Sequence, residues 1–162
     1  MNNLQLFAMT IAALLTTGMA VRADDATVQT PRQAIESYVD AFNSGAVNEQ
    51  IEAIYTFPLV WVIDGSMSIH QTPPPSIVSY ESLRKSGWAY SKANQIEVLS
   101  EGQNTSVIRL DFSRYTDDHQ EIVRTEAFYT MINDGGNWKI ATTTVPISLP
   151  VLADEDKAPT EQ

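Results

Sequence analysis

Thr30-Pro31-Arg32-Gln33 constrains this chain more than any other segment. A threonine able to cap, a proline at the first helical position and a glutamine three residues after the cap together fix a helix start. Ala34, Ile35, Tyr38, Ala41 and Phe42 then recur at three- and four-residue spacing, which makes one apolar face, and Asn43-Ser44-Gly45 ends the helix. A helix with such a face has to lay it on another apolar surface. The remainder of the chain offers mostly strands, so the expectation is a sheet packed on this helix.

A second, shorter helix is expected over Asn48 to Tyr55, with Ile51, Ile54 and Tyr55 on one side, broken by Phe57-Pro58. Leu59 to Ile63 is an unbroken β-branched and aromatic run, and Asp64-Gly65 turns it into Ser66 to His70 as a hairpin. Thr72-Pro73-Pro74-Pro75 reads as an extended linker into a third helix, Tyr80 to Ser86, capped by Ser79 and ended by Gly87. Strands follow over 95–99, 105–115, 122–132 and 138–145, separated by polar turns at 101–104, 116–120 and 133–137. There is no internal repeat. Helices first and an antiparallel meander after them give an α+β domain whose curved sheet packs on the long first helix.

The 162 residues divide into four parts. Leu4 to Ala20 is apolar and uncharged, and Val21-Arg22-Ala23 puts small residues at the two positions a signal peptidase inspects. The expectation is a signal peptide over 1–23, a spacer over 24–29, a domain over 30–150 and a disordered tail over 151–162. Gln5, Thr10, Thr16, Thr17 and Gly18, and the lack of a basic stop-transfer cluster, argue against a membrane-spanning helix. Export to the periplasm or the medium follows from that reading. With no cysteine, the domain is expected to hold together by packing alone, without thiol chemistry or cysteine metal sites. Lys plus Arg number 10 against 20 Asp plus Glu, net −10, and the one base within the leader, Arg22, makes the remainder more acidic still. Such a surface repels phosphate backbones and anionic lipid, so neither nucleic acid nor a membrane is expected as a partner after cleavage.

The stretches AIESYVDAFNSGAVNEQIEAIY, SVIRLDFSRY and EAFYTMINDGGNWKI resemble the nuclear transport factor 2-like superfamily, which includes ketosteroid isomerases, scytalone dehydratase and SnoaL-like polyketide cyclases. The resemblance runs from about Thr30 to Ile147. It implies a cone-shaped sheet wrapped around the first helix, with a largely apolar pocket at its open end, no cofactor, and homodimerisation through the outer sheet face in many relatives. Carried over residue by residue, the oxyanion tyrosine of ketosteroid isomerase matches Tyr38. Its base falls at Ile63 or, with a one-residue slip, at Asp64, and its second oxyanion donor falls on Phe128, which cannot serve. These motifs speak to fold more than to function.

The candidate residues each carry two readings. Tyr38 is either a pocket donor or a core tyrosine. Asp64 is either a general base or the favoured first residue of an Asp-Gly turn. Arg114 and Glu126 are charges within apolar strands, where burial is costly unless they pair. Alternation puts Arg114 on the face of Ile108, Leu110 and Phe112, and Glu126 on that of Phe128. Register places Arg114 opposite 121–123 and Glu126 nearer Arg109. They form either a pocket ion pair or anion clamp, or a solvated pair at the sheet margin. Trp61 is the better pocket aromatic, and Trp138 the packing one. His70 and His119 lack a second ligand at metal spacing. The expected pocket is thus Tyr38, Trp61, Arg114, Glu126 and Phe128. Two functions remain open. One is a non-catalytic module that binds a small apolar molecule or a partner. The other is an isomerase, dehydratase or cyclase using Tyr38 with Asp64 or Glu126.

Overall fold

Thr30 closes a full capping box at the start of α1 (Pro31–Ser44): Gln33 N–H donates to Thr30 Oγ1 at 3.2 Å, and Thr30 N–H donates to Gln33 Oε1 at 2.9 Å. Gly45, at φ 83°, ends the helix in the left-handed region and returns its N–H to the carbonyls of Ala41 and Phe42. The Thr30→Ala variant loses the side-chain cap and should cost about 1 kcal/mol. Urea unfolding at equilibrium measures this, and an unchanged midpoint would contradict it.

The computed structural model describes residues 29–147. The expected leader 1–23, the spacer apart from Gln29, and the tail 151–162 lie outside the described residues. After a 3₁₀ turn at Val47–Glu49 come α2 (Ile51–Ile54), β1 (Tyr55–Ile63), β2 (Ser66–His70), α3 (Tyr80–Lys85), β3 (Tyr90–Glu101), β4 (Thr105–Tyr115), β5 (Glu121–Asp134) and β6 (Asn137–Val145). The six strands form one curved, unclosed sheet in the order β2-β1-β6-β5-β4-β3. All neighbours are antiparallel except β1 and β6, which run parallel, with Trp61 opposite Thr143 and Ile63 opposite Val145.

The expected architecture is present, with boundary differences that have local causes. Tyr55 opens β1 rather than closing α2, and the strand runs through Pro58. The β1–β6 register shifts between Tyr55 and Val60, so the proline, which has no N–H to give, sits where the ladder is interrupted. β3 begins at Tyr90, five residues earlier than its apolar run, because pairing with Tyr115 through Asp111 carries the polar segment along.

Helix α1 lies on the concave face of the sheet. Ile35 is fully buried, with Ala34, Ala41 and Phe42 beside it, and Leu59, Ile108, Met131 and Ile140 come up from the strands. Two polar tethers fix the helix on β3. Asn43 donates to Ser91 O and accepts from Ser91 N–H, each at 2.8 Å, and Arg32 donates to Ile96 O. Asn48 holds the proline-rich connection in the same way, accepting from Ile77 N–H and Val78 N–H at 2.9 Å and donating to Val78 O. These tethers leave a space between α1 and the middle of the sheet.

Candidate functional site

That space is a cavity of about 60 Å³, with walls drawn from α1, β1, β3, β4, β5 and β6. Strand alternation brings Trp61, Leu110, Phe112, Ala127 and Tyr129 to it, and Tyr38 and Phe42 reach it one helical turn apart. A second, larger groove of about 420 Å³ lies between α1 and the start of β6, lined by Gln29, Ser37, Gln50, Asn137 and Lys139 among others. The smaller cavity is the candidate site, because there apolar walls and perturbed polar groups converge.

Three tyrosines meet inside it. Tyr38 packs edge-on against Tyr129, with centroids 5.8 Å apart, and against Tyr55 at 6.1 Å. Burial raises the Tyr38 hydroxyl above its ordinary value, opposed by the Tyr55 hydroxyl, the Arg114 charge and the Tyr129 hydroxyl. Burial raises Tyr55 and Tyr129 further, with Tyr38 adding to both shifts. All three phenols are therefore neutral across the physiological range. Tyr38 is half-buried as a residue, with its hydroxyl enclosed.

Arg114 is the unusual group. Only 4% of it is exposed, and its guanidinium lies 5.8 Å from the centre of the Phe42 ring and 5.9 Å from that of Phe112. Its Nε and Nη1 have no hydrogen-bond partner among the described residues. Burial lowers its pKa to about 10, with the tyrosine hydroxyls of Tyr38 and Tyr129 acting against the shift. It stays a cation at neutral pH, desolvated and unpaired. Trp61 Nε1, in the same wall, is likewise buried without a partner.

The neighbouring arginines are treated differently. Arg109, on the opposite face of β4, donates to Glu97 at 3.1 Å and also to Glu126. Arg124 forks onto Asp111 through Nε at 3.0 Å and Nη2 at 2.7 Å. That fork, with Asn94, lowers the Asp111 pKa to about 2. Arg109 lowers that of Glu126. The outer face is thus a lattice of matched ion pairs, whereas the buried arginine has none among the described residues.

The structure brings Tyr38, Trp61 and Arg114 together and places the remaining candidates elsewhere. Arg114 pairs with Val123 across the ladder, so the β5 residues facing the cavity are Ala127 and Tyr129. Glu126 and Phe128, expected in the pocket, are on the outer face, and Glu126 joins Arg109 rather than Arg114. Asp64 is exposed at φ 49° in the β1–β2 turn, its N–H donating to Val145 O, and its carboxylate does not line the cavity. Tyr55 and Tyr129 are site residues that sequence reasoning missed. Trp138 is buried in β6 away from the cavity. His70 stacks edge-on against Trp61, and His119 contacts the Tyr90 hydroxyl. No three His, Asp or Glu among the described residues are grouped to hold a metal ion, and no described helix is long and apolar enough to cross a membrane.

A curved sheet closed on one helix, with a cavity between them, defines a class of α+β domain shared by ligand-binding proteins and by isomerases and dehydratases. The chain belongs to the NTF2-like protein family DUF6841, whose model matches residues 29–146. No curated protein matches it. Among solved structures it is similar to an NTF2-like protein from Cytophaga hutchinsonii, at TM-score 0.51 and 12% identity, covering 71% of this chain and 93% of that one. It is also similar to a candidate scytalone dehydratase from Novosphingobium aromaticivorans, at TM-score 0.52 and 11% identity over 72% and 80% of the two chains. A candidate aromatic ring hydroxylase from the same species gives 0.51 and 14% over 75% and 91%. At these identities the likeness is one of fold.

Proposed function

We propose that this domain is a binding module that holds a small, largely apolar molecule in the cavity between α1 and the sheet, without carrying out acid–base catalysis there. The observation that carries the reading is the composition of the wall. Apolar and aromatic side chains make up most of it, with tyrosine hydroxyls and one guanidinium as fixed polar points and no carboxylate or imidazole among the lining residues. Isomerisation or dehydration would need a base at the reacting carbon. The two carboxylates that could have served, Asp64 and Glu126, stand in an exposed turn and in an outer-face ion pair. Room for about 60 Å³ favours a short-chain ligand over one built on a ring, since the apolar cavity known to take benzene measures about 150 Å³.

Native mass spectrometry of the purified protein tests this. The expected spectrum has a low-mass, non-covalent adduct or acquires one with added 1-propanol at one-to-one stoichiometry. A bare polypeptide mass that stays bare when 1-propanol is added would contradict the proposal.

A further inference from the structure

Three of the four buried polar atoms left without a partner among the described residues belong to the cavity wall: Trp61 Nε1, Arg114 Nε and Arg114 Nη1. All three are donors. Buried donors are ordinarily matched, and a buried charge is matched almost without exception, because leaving it bare costs more than any other single defect. The chain does not lack carboxylates on these strands, since Glu97, Asp111 and Glu126 are all within β3 to β5. It directs each of them to the outer face, against Arg109 or Arg124, whose side chains are 29% and 61% exposed. The 4%-exposed arginine, which has most to gain from an anion, faces only aromatic rings and hydroxyls. A buried guanidinium with unmatched donors is complementary to a ligand that brings an anionic acceptor with it.

Resting on the binding reading above, we propose that the ligand is a small monocarboxylate with an apolar body, its carboxylate received by the Arg114 guanidinium and its body enclosed by Phe42, Leu110 and Phe112. One cation matches one negative charge. Phosphate and sulfate, with higher charge and no apolar part, would leave charge unneutralised and the walls unfilled. Planar guanidinium and carboxylate meet in a fixed geometry, which a lysine ammonium would not reproduce.

Calorimetric titration of the full chain with propionate, its neutral analogue propionamide, 1-propanol and inorganic phosphate tests the inference. Propionate is expected to bind about 10- to 100-fold tighter than propionamide, the range set by one charge-assisted contact, with phosphate weaker than either. In Arg114→Met the propionate advantage should vanish while 1-propanol and propionamide still bind, which also reports that the variant is folded. Arg114→Lys should recover part of the advantage. Equal affinity for propionate and propionamide in the wild-type chain, or an advantage that persists in Arg114→Met, would overturn the carboxylate assignment and leave the binding module standing. Uptake of none of the organic probes would overturn both.

Discussion

Replacing Arg114 with methionine is expected to stabilise the ligand-free domain, by about 1–4 kcal/mol, the range found when buried charges give way to apolar residues of similar size. Most single substitutions in a packed interior go the other way. The reason for the reversal is that Arg114 is a cation held in an apolar space with no anion beside it among the described residues. Burial lowers its pKa from 12.5 to about 10, which corresponds to roughly 3 kcal/mol of penalty on the charged form. Methionine fills a similar volume and keeps contact with Phe42 and Phe112 through its polarizable sulfur. It forfeits the cation–π contact with those rings, about 0.5–2 kcal/mol, which offsets part of the gain. Thermal unfolding of the two proteins at pH 7, without added ligand, gives the comparison. A midpoint that rises by several degrees fits an unpaired cation kept for binding. A fall of several kcal/mol would mean that Arg114 has a structural partner and would remove the physical basis for assigning it to a ligand.

The second large effect concerns alkaline pH. Tyr38, Tyr55 and Tyr129 all have pKa values raised by burial in the folded domain, against 10.0 in the unfolded chain. Above pH 10 the unfolded state releases these protons while the folded state keeps them. The unfolded state then binds fewer protons, so stability falls as pH rises. Below pH 10 the contribution is fully present. Each phenol contributes a slope of up to about 1.4 kcal/mol per pH unit. Arg114 acts with the opposite sign, since its depressed pKa makes the folded state lose a proton first, but it is one group against three. The domain should therefore unfold cooperatively between roughly pH 10 and 12, at a pH where its outer ion pairs are intact. Circular dichroism against pH follows the transition, and absorbance near 295 nm should show a block of tyrosines ionising with it rather than before it. Tyrosine ionisation completed at pH 10 with the fold intact would mean that the three hydroxyls are not enclosed.

How much of this was legible beforehand depended on whether the signal was local. The capping box at Thr30, the Gly45 stop and the Asp64-Gly65 turn are written within four residues of where they act, and the structure places them as the spacing implied. The parallel pairing of β1 with β6 has no local mark, because the strands are far apart in sequence and no turn joins them. On β4 the alternation of Ile108, Leu110 and Phe112 is unambiguous, so the inward position of Arg114 could be read directly. On β5 both faces are apolar: Ala127, Tyr129 and Met131 face in, while Phe128 and Ile132 face out. Alternation alone could not choose between them, and the carried-over oxyanion position pulled the choice to Phe128 and Glu126. Register was the missing arbiter. Once Arg114 is inward and opposite Val123, only odd-numbered residues of β5 can share the cavity. Tyr55 was hidden for another reason, since an apolar residue at helical spacing before Phe57-Pro58 gives no sign that the strand has begun. Nor could the sequence reveal that Arg114 lacks a partner. That depends on where Glu97, Asp111 and Glu126 are directed, which only the folded sheet decides.

The space between α1 and the sheet is held here to take a small, largely apolar molecule. Amide chemical-shift mapping of the isotope-labelled protein during a 1-propanol titration tests this most directly. Saturable, one-site shifts are expected at Tyr38, Ala93, Leu110, Ala127 and Tyr129, with Glu97, Arg109 and Arg124 of the outer face unmoved. Shifts confined to the outer face or to the exposed β2 residues Met67 and Ile69, or a response that never saturates, would contradict it.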